Sequence, residues 1–224
     1  MDSILSNITI TVNEKLFVKN PETSKLGKKI IENSILLIAE IGFENFTFKK
    51  LGEKIKSNES SIYRYFESKH KLMLYLSSWY WTWIEYKLVF ATNNVSNPLE
   101  KLKKAIKIVT EKIEDDTSTL HINEAELNKI IIIEFTKNLV TIEVDDENKE
   151  GFFLVYKRVI TRIVDMIEVV NPDYKFAKSL ASSIVDGAMH QHFLKDHLKT
   201  ITNCSDIVSP TDFYTDLIEK VLSQ

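Results

Sequence analysis

From Ser24 onward the apolar positions of this chain fall at helical spacing. Ile30, Leu37, Ile38 and Ile41 form one stripe and Gly42 follows it, which predicts a helix over 25–41 closed by a C′ glycine. Thr47 suits the N-cap of a second, short helix over 48–55. Phe48, Leu51 and Ile55 share its inner face, and Gly52 lies on that side too, where a missing side chain lets another element come close. Lys56-Ser57-Asn58 makes a turn, and Asn58 can cap a third helix over 59–66. Only Ile62 and Phe66 anchor that helix, four residues apart. Glu59, Ser60, Tyr63 and Arg64 are left outward or flanking. Ser68 can cap a fourth helix that runs through "SWYWTWIEY" to about residue 92.

"TNNVSNP" breaks the pattern, and a helix over 99–114 follows, then "EDDTST" as a loop. "EAELNKIIIIEFTKNLV" reads as a buried helix over 123–140, because the flanks of its four isoleucines are helical. "EVDDENKE" reads as an acidic loop. "GFFLVYKRVITRIVDMIEVV" reads as a helix ended by Asn171-Pro172, a long helix covers 173–198, and a last one covers 211–222. Residues 1–20 alternate weakly and predict an extended arm. The expectation is an all-α chain of about nine helices, with an arm over 1–23, a three-helix domain over 24–72 and a larger helical domain over 73–224. Five Gly and four Pro in 224 residues agree with long helices and few tight turns.

Charge changes the picture by its distribution. The net value is −3, but residues 21–76 carry ten Lys/Arg against seven Asp/Glu, a mildly basic front on an acidic body. Cys204 is the single cysteine, so no intrachain disulfide can form, which suits a reducing cytoplasm. No basic segment precedes an apolar run at the start, and no stretch of about 18 apolar residues lacks charge. Neither a secretory leader nor a membrane span is expected.

Three short helices whose second and third members are joined by a tight turn make a helix-turn-helix unit. In such a unit the last helix enters the DNA major groove, which explains the sparse anchoring of 59–66. Candidate DNA contacts are Thr47 and Ser68 at helix N-termini, Lys49 and Lys50 on the second helix, and Asn58, Glu59, Ser60, Ser61, Tyr63, Arg64, Tyr65 and Lys69 on and after the third. The crowded aromatics of the fourth helix offer a core stripe or a pocket wall. Trp79, Trp83 and Tyr86, with Phe152, Phe153 and Tyr156, are candidate pocket residues for an apolar or aromatic small molecule. His190 and His192 are two apart and diverge on a helix, so no metal site is read there. Asp115-Asp116 and Asp145-Asp146 are solvated loop charge. No Gly-rich phosphate loop and no Ser/His/Asp order occurs, so no catalytic residue, cofactor or metal is expected.

Residues 25–76, with Gly42-Phe43, Thr47, Gly52, "SSIYRYF", Lys69 and Leu72, resemble the DNA-binding domain of the TetR/AcrR family of bacterial repressors. The resemblance implies an all-helical homodimer that binds a double-stranded operator. Its remaining helices would form a ligand-binding and dimerisation body, the last two long ones (173–198 and 211–222) making a four-helix bundle across the two-fold. The chain departs from that pattern at Lys56-Ser57, where Gly-Val is usual, at Ser60, where Gly is common, and in Glu59, an anion near the bases. A ligand-responsive cytoplasmic repressor is the expectation. The alternative is an all-helical carrier or enzyme that keeps the front domain only as structure.

Overall fold

The structure, a computed structural model, describes residues 10–114, 119–139 and 141–222. Among them are ten α-helices and no strand. They are α1 (Lys25–Ile41), α2 (Phe48–Ile55), α3 (Glu59–Tyr63), α4 (Lys69–Thr92), α5 (Pro98–Thr110), α6 (Glu124–Leu139), α7 (Val144–Lys149), α8 (Leu154–Val170), α9 (Ala177–His197) and α10 (Pro210–Leu222). The all-α class and the front helix-turn-helix domain followed by a larger helical one agree with the sequence.

Caps set the helix starts. Ser24, Thr47, Asn58 and Asn97 each accept a backbone N–H of the first turn of α1, α2, α3 and α5 with their side chains. Gly42 closes α1 at φ 77°, donating its N–H to Ile38 at 2.8 Å. The isoleucine run of 130–133 lies within α6.

Several expectations are corrected. The acidic stretch after Glu143 holds the six-residue helix α7, which raises the helix number from nine to ten. Its acids crowd the first turn, where the helix dipole favours them. α3 stops at Tyr63 rather than 66, α5 at Thr110 rather than 114, and α9 starts at Ala177 rather than 173. Asp115-Asp116 lies outside the described residues, as do positions 1–9 of the expected arm. Residues 10–23 are not a free strand. They form two short 3-10 turns, Glu14–Leu16 and Pro21–Thr23, and bury Val12, Leu16 and Pro21.

The chain forms two compact units. The first takes the described residues of Met1–Thr82 and Ile113–Phe153, and the second those of Trp83–Lys112 and Leu154–Gln224. In the first, α1, α2 and α3 close over Ile30, Ile31, Ile35, Phe46, Leu51, Ile55, Ile62 and Phe66, and α6 packs on α1. Residues 72–82 of α4 are buried all round, as an apolar helix without a polar face must be. In the second unit α5, α8, α9 and α10 pack on one another around Leu102, Ile106, Ile163, Ile167, Ile184, Val185 and Ile218. The buried Glu85 carboxylate there accepts from Arg158 (2.6 Å) and from Arg162 (2.9 Å). Burial pushes its pKa up, but the two guanidiniums outweigh that and hold it below the ordinary carboxylate value.

Candidate DNA-binding surface

The helix-turn-helix depends on two backbone features. A Cβ on Gly52 would stand 2.7 Å from the Ser57 carbonyl oxygen, so the turn closes directly on the face of α2. Ser57 donates its N–H back to the Gly52 carbonyl at 2.9 Å. Lys56 caps α2 in the left-handed region, at φ 54° and ψ 48°, a conformation that costs a non-glycine residue about 1–2 kcal/mol. The Lys29 ammonium steadies that end of α2 through the Ile55 carbonyl at 2.8 Å. A lysine stands where a glycine would be relaxed, yet the turn has the same geometry a glycine would serve.

Ile62 is the buried residue by which α3 sits on this frame, and Phe66 follows it; both are fully buried. Asn58, Ser60, Tyr63 and Arg64 are exposed, Glu59 and Ser61 partly so. Asn58 Oδ1 accepts from the Ser61 N–H at 2.8 Å and from the Ser61 hydroxyl at 2.5 Å, which fixes the first turn of α3. The Tyr63 ring packs edge-on against Phe48 at 5.0 Å, and the residue remains 48% exposed. That contact gives α3 a rigid aromatic with its outer side open. Thr47, Lys49 and Lys50 lie exposed at the start of α2, with the Lys50 ammonium on the Asn45 carbonyl at 2.9 Å. Ser68 caps α4 by accepting from the Lys71 N–H.

Two of the expected DNA contacts point elsewhere. Tyr65 is buried, 4% exposed, and its hydroxyl shares a 2.8 Å hydrogen bond with Ser24. Its carbonyl accepts the Val18 N–H, and Lys19 lies over its ring. One residue after an exposed position, the chain has turned inward, and Tyr65 holds residues 18–24 in place. Lys69 also faces protein. Its ammonium donates to the carbonyls of Phe43 (3.1 Å), Glu44 (3.2 Å) and Phe46 (3.3 Å), with the Phe43 ring 4.9 Å away.

The first unit holds further chemistry that the sequence did not single out. Glu22 accepts from His121 (3.0 Å) and from the buried Tyr75 hydroxyl (3.2 Å). Burial raises the Glu22 pKa, and the His121 and Tyr75 contacts more than reverse it, leaving it below its ordinary value. Partners 99 residues apart leave no local signal. The aromatics proposed as pocket residues are placed as follows. Trp79, Trp83, Phe152 and Phe153 are buried, Tyr86 and Tyr156 half-buried. The Tyr156 hydroxyl donates to Asp186 at 2.6 Å, and Lys87 stands 4.6 Å over the Trp83 ring. In the second unit one groove of about 450 Å³ runs along Gln191, Ile201, Val208 and Phe213, and another of about 340 Å³ along Val95, Pro98, Arg162 and Met166. Neither is lined by those aromatics. His192 holds the Thr110 carbonyl at 2.9 Å, and the His190 and His197 rings flank Phe193. Among the described residues no three His, Cys, Asp or Glu side chains gather as a metal site, and no helix is long and apolar enough to cross a membrane.

Residues 30–76 match the family model of bacterial regulatory proteins, tetR family. No curated protein matches the chain by sequence. Solved structures match nearly the whole of it. A protein from Saccharomonospora viridis in complex with choline is 16% identical at a TM-score of 0.61, over 90% of this chain and 97% of that one. AibR, in complex with isovaleryl coenzyme A and operator DNA, is 12% identical at 0.59, over 87% and 98%. The superantigen PfiT is 13% identical at 0.58, over 86% and 94%. At such identities the likeness is one of fold, and one fold serves several functions. The front of the chain, over residues 30–76, is thus similar to the N-terminal domain of bacterial regulatory proteins of the tetR family.

Proposed function

We propose that the protein is a ligand-responsive transcriptional regulator that represses by binding a near-palindromic operator as a homodimer. The observation that carries this reading is α3. It is a short helix fixed from below by Ile62, capped by Asn58, and open on the side that bears Ser60, Tyr63 and Arg64, inside the segment that matches the tetR family. Residues 24–72 act on DNA. α3 enters the major groove, and Thr47, Lys49, Lys50, Tyr63 and Arg64 meet phosphates or base edges. Residues 73–224 form the body, which takes up a small apolar or aromatic effector and pairs with a second copy through α9 and α10. Exposed Ile201, Val208 and Phe213 beside the α9–α10 groove support that pairing. AibR with its coenzyme A thioester and operator DNA, and the choline complex, support the effector half of the reading by fold. The effector favours a conformation that does not fit the operator. The reading places the protein in the cytoplasm, with no catalytic step.

Repeated selection of duplexes from a random pool tests it. The expected result is one enriched motif with two-fold symmetry and half-sites about one helical turn apart. A pool that stays random after selection, at low salt, contradicts the reading.

A further inference from the structure

The sequence places Lys69 among the phosphate contacts, and the structure gives its charge other work. An ammonium has three protons to donate, and the Lys69 ammonium has three carbonyls of one loop within hydrogen-bond reach: Phe43 at 3.1 Å, Glu44 at 3.2 Å and Phe46 at 3.3 Å. The Phe43 ring covers it. That loop joins α1 to α2 and ends at Thr47, the cap of α2. Hydrogen bonds from a charged donor are the strong ones, and three converge here. The next two residues of α4 hold a different segment. His70 Nε2 stands 2.5 Å from Glu147 on α7, and the Lys71 ammonium lies 4.0 Å over the Phe152 ring. One turn of helix thus grips the DNA-binding head with its first residue and residues 147–152 with the next two.

We propose that Lys69 is a positioning residue for DNA binding and not a phosphate contact. It latches the Phe43–Phe46 loop, sets the start of α2, and makes the first turn of α4 the junction through which α7 acts on the head. This inference rests on the DNA-binding reading for its consequence, but the latch itself is tested without DNA.

The first measurement is the lysine ¹H–¹⁵Nζ spectrum of the free full-length protein. The latch predicts a slowly exchanging ammonium signal that is lost in Lys69→Met, does not shift when a duplex of about 30 base pairs, long enough for two half-sites, is added, and shifts in Glu147→Gln. A wild-type spectrum without a protected Lys69 signal overturns the latch. A signal that shifts on DNA restores the phosphate contact, and one unmoved by Glu147→Gln overturns the junction. The second measurement is duplex affinity of folded Lys69→Met against salt. The expected loss is about tenfold, with the slope of log K against log salt unchanged. A slope shallower by about 0.9 marks a lost phosphate contact, and unchanged affinity in a folded but less stable variant marks a merely structural lysine. Both overturn the proposal. A wild type that binds no duplex at any salt sinks the DNA reading, while the ammonium signal still decides the latch.

Discussion

At the residue scale, Gly52 and Lys56 decide whether α3 is presented. A methyl on Gly52 meets backbone at 2.7 Å, which no side-chain rotation relieves. Gly52→Ala is expected to cost about 1–3 kcal/mol of unfolding free energy by overpacking, and to weaken DNA binding beyond that cost because the turn is pushed off α2. Denaturant titration with duplex binding on the folded fraction checks this; an unchanged affinity would contradict it. Lys56 makes the opposite case. Its left-handed backbone is costly for a lysine, and glycine pays only its unfolded-chain entropy. Lys56→Gly is therefore expected to stabilise the protein by about 0.5–1 kcal/mol in the same titration; a loss of stability would refute the strain argument. Gly52 was legible in the sequence because a glycine on an apolar helix face asks for a close neighbour. At Lys56 the side chain itself gives no sign of the dihedral the turn imposes, and only the resemblance, in which a glycine is usual there, pointed to it. Tyr65 and Lys69 have protein partners that the sequence did not show, for a shared reason. Polar tips next to an exposed helix look available, and only the tertiary fold supplies Ser24 and the three loop carbonyls that take them up.

At the scale of elements, two polar ties hold the second unit. Glu85 binds two arginines of α8, one turn apart. Glu85→Gln leaves two neighbouring cations without their anion. The expected cost is about 2 kcal/mol, below the figure for a fully buried pair because both guanidiniums are nearly half exposed. A cost within error of zero in urea unfolding would show the cluster to be idle. His192 ties α9 to the Thr110 carbonyl of α5, and burial holds its pKa below the ordinary 6.5. The unfolded chain then takes up that proton first, so this contribution to stability is complete above the ordinary value and is lost as pH falls through it. Between about pH 7 and pH 5, His192→Gln should lose less unfolding free energy than the wild type, since glutamine keeps a donor for Thr110 and does not titrate. Equal losses would remove His192 from the acid response. Helices of this kind were readable from apolar spacing and caps. α7 was not, because five acids and asparagine in eight residues carry no apolar stripe, and what fixes it is tertiary: Glu147 is buried and meets His70.

At the scale of the whole molecule, the proposed function rests on the front domain, whose helix order, caps and two inward anchors were all legible because they are local. The proposed effector was not legible. A pocket for it would draw on residues far apart in sequence, and a crowd of aromatics reads equally as core, which is where Trp79, Phe152 and Phe153 stand. On this proposal the exposed face of α3 binds DNA specifically. The most direct measurement is binding of the purified protein to the duplex upstream of its own gene, beside an unrelated duplex, across a salt series. Tight, selective binding is expected, with log K falling by about 0.9 per phosphate contacted for each decade of salt, and with loss of the selectivity in Arg64→Ala with Tyr63→Ala. Ligand-stripped protein that binds neither duplex even at low salt would contradict it and leave the front domain a structural one.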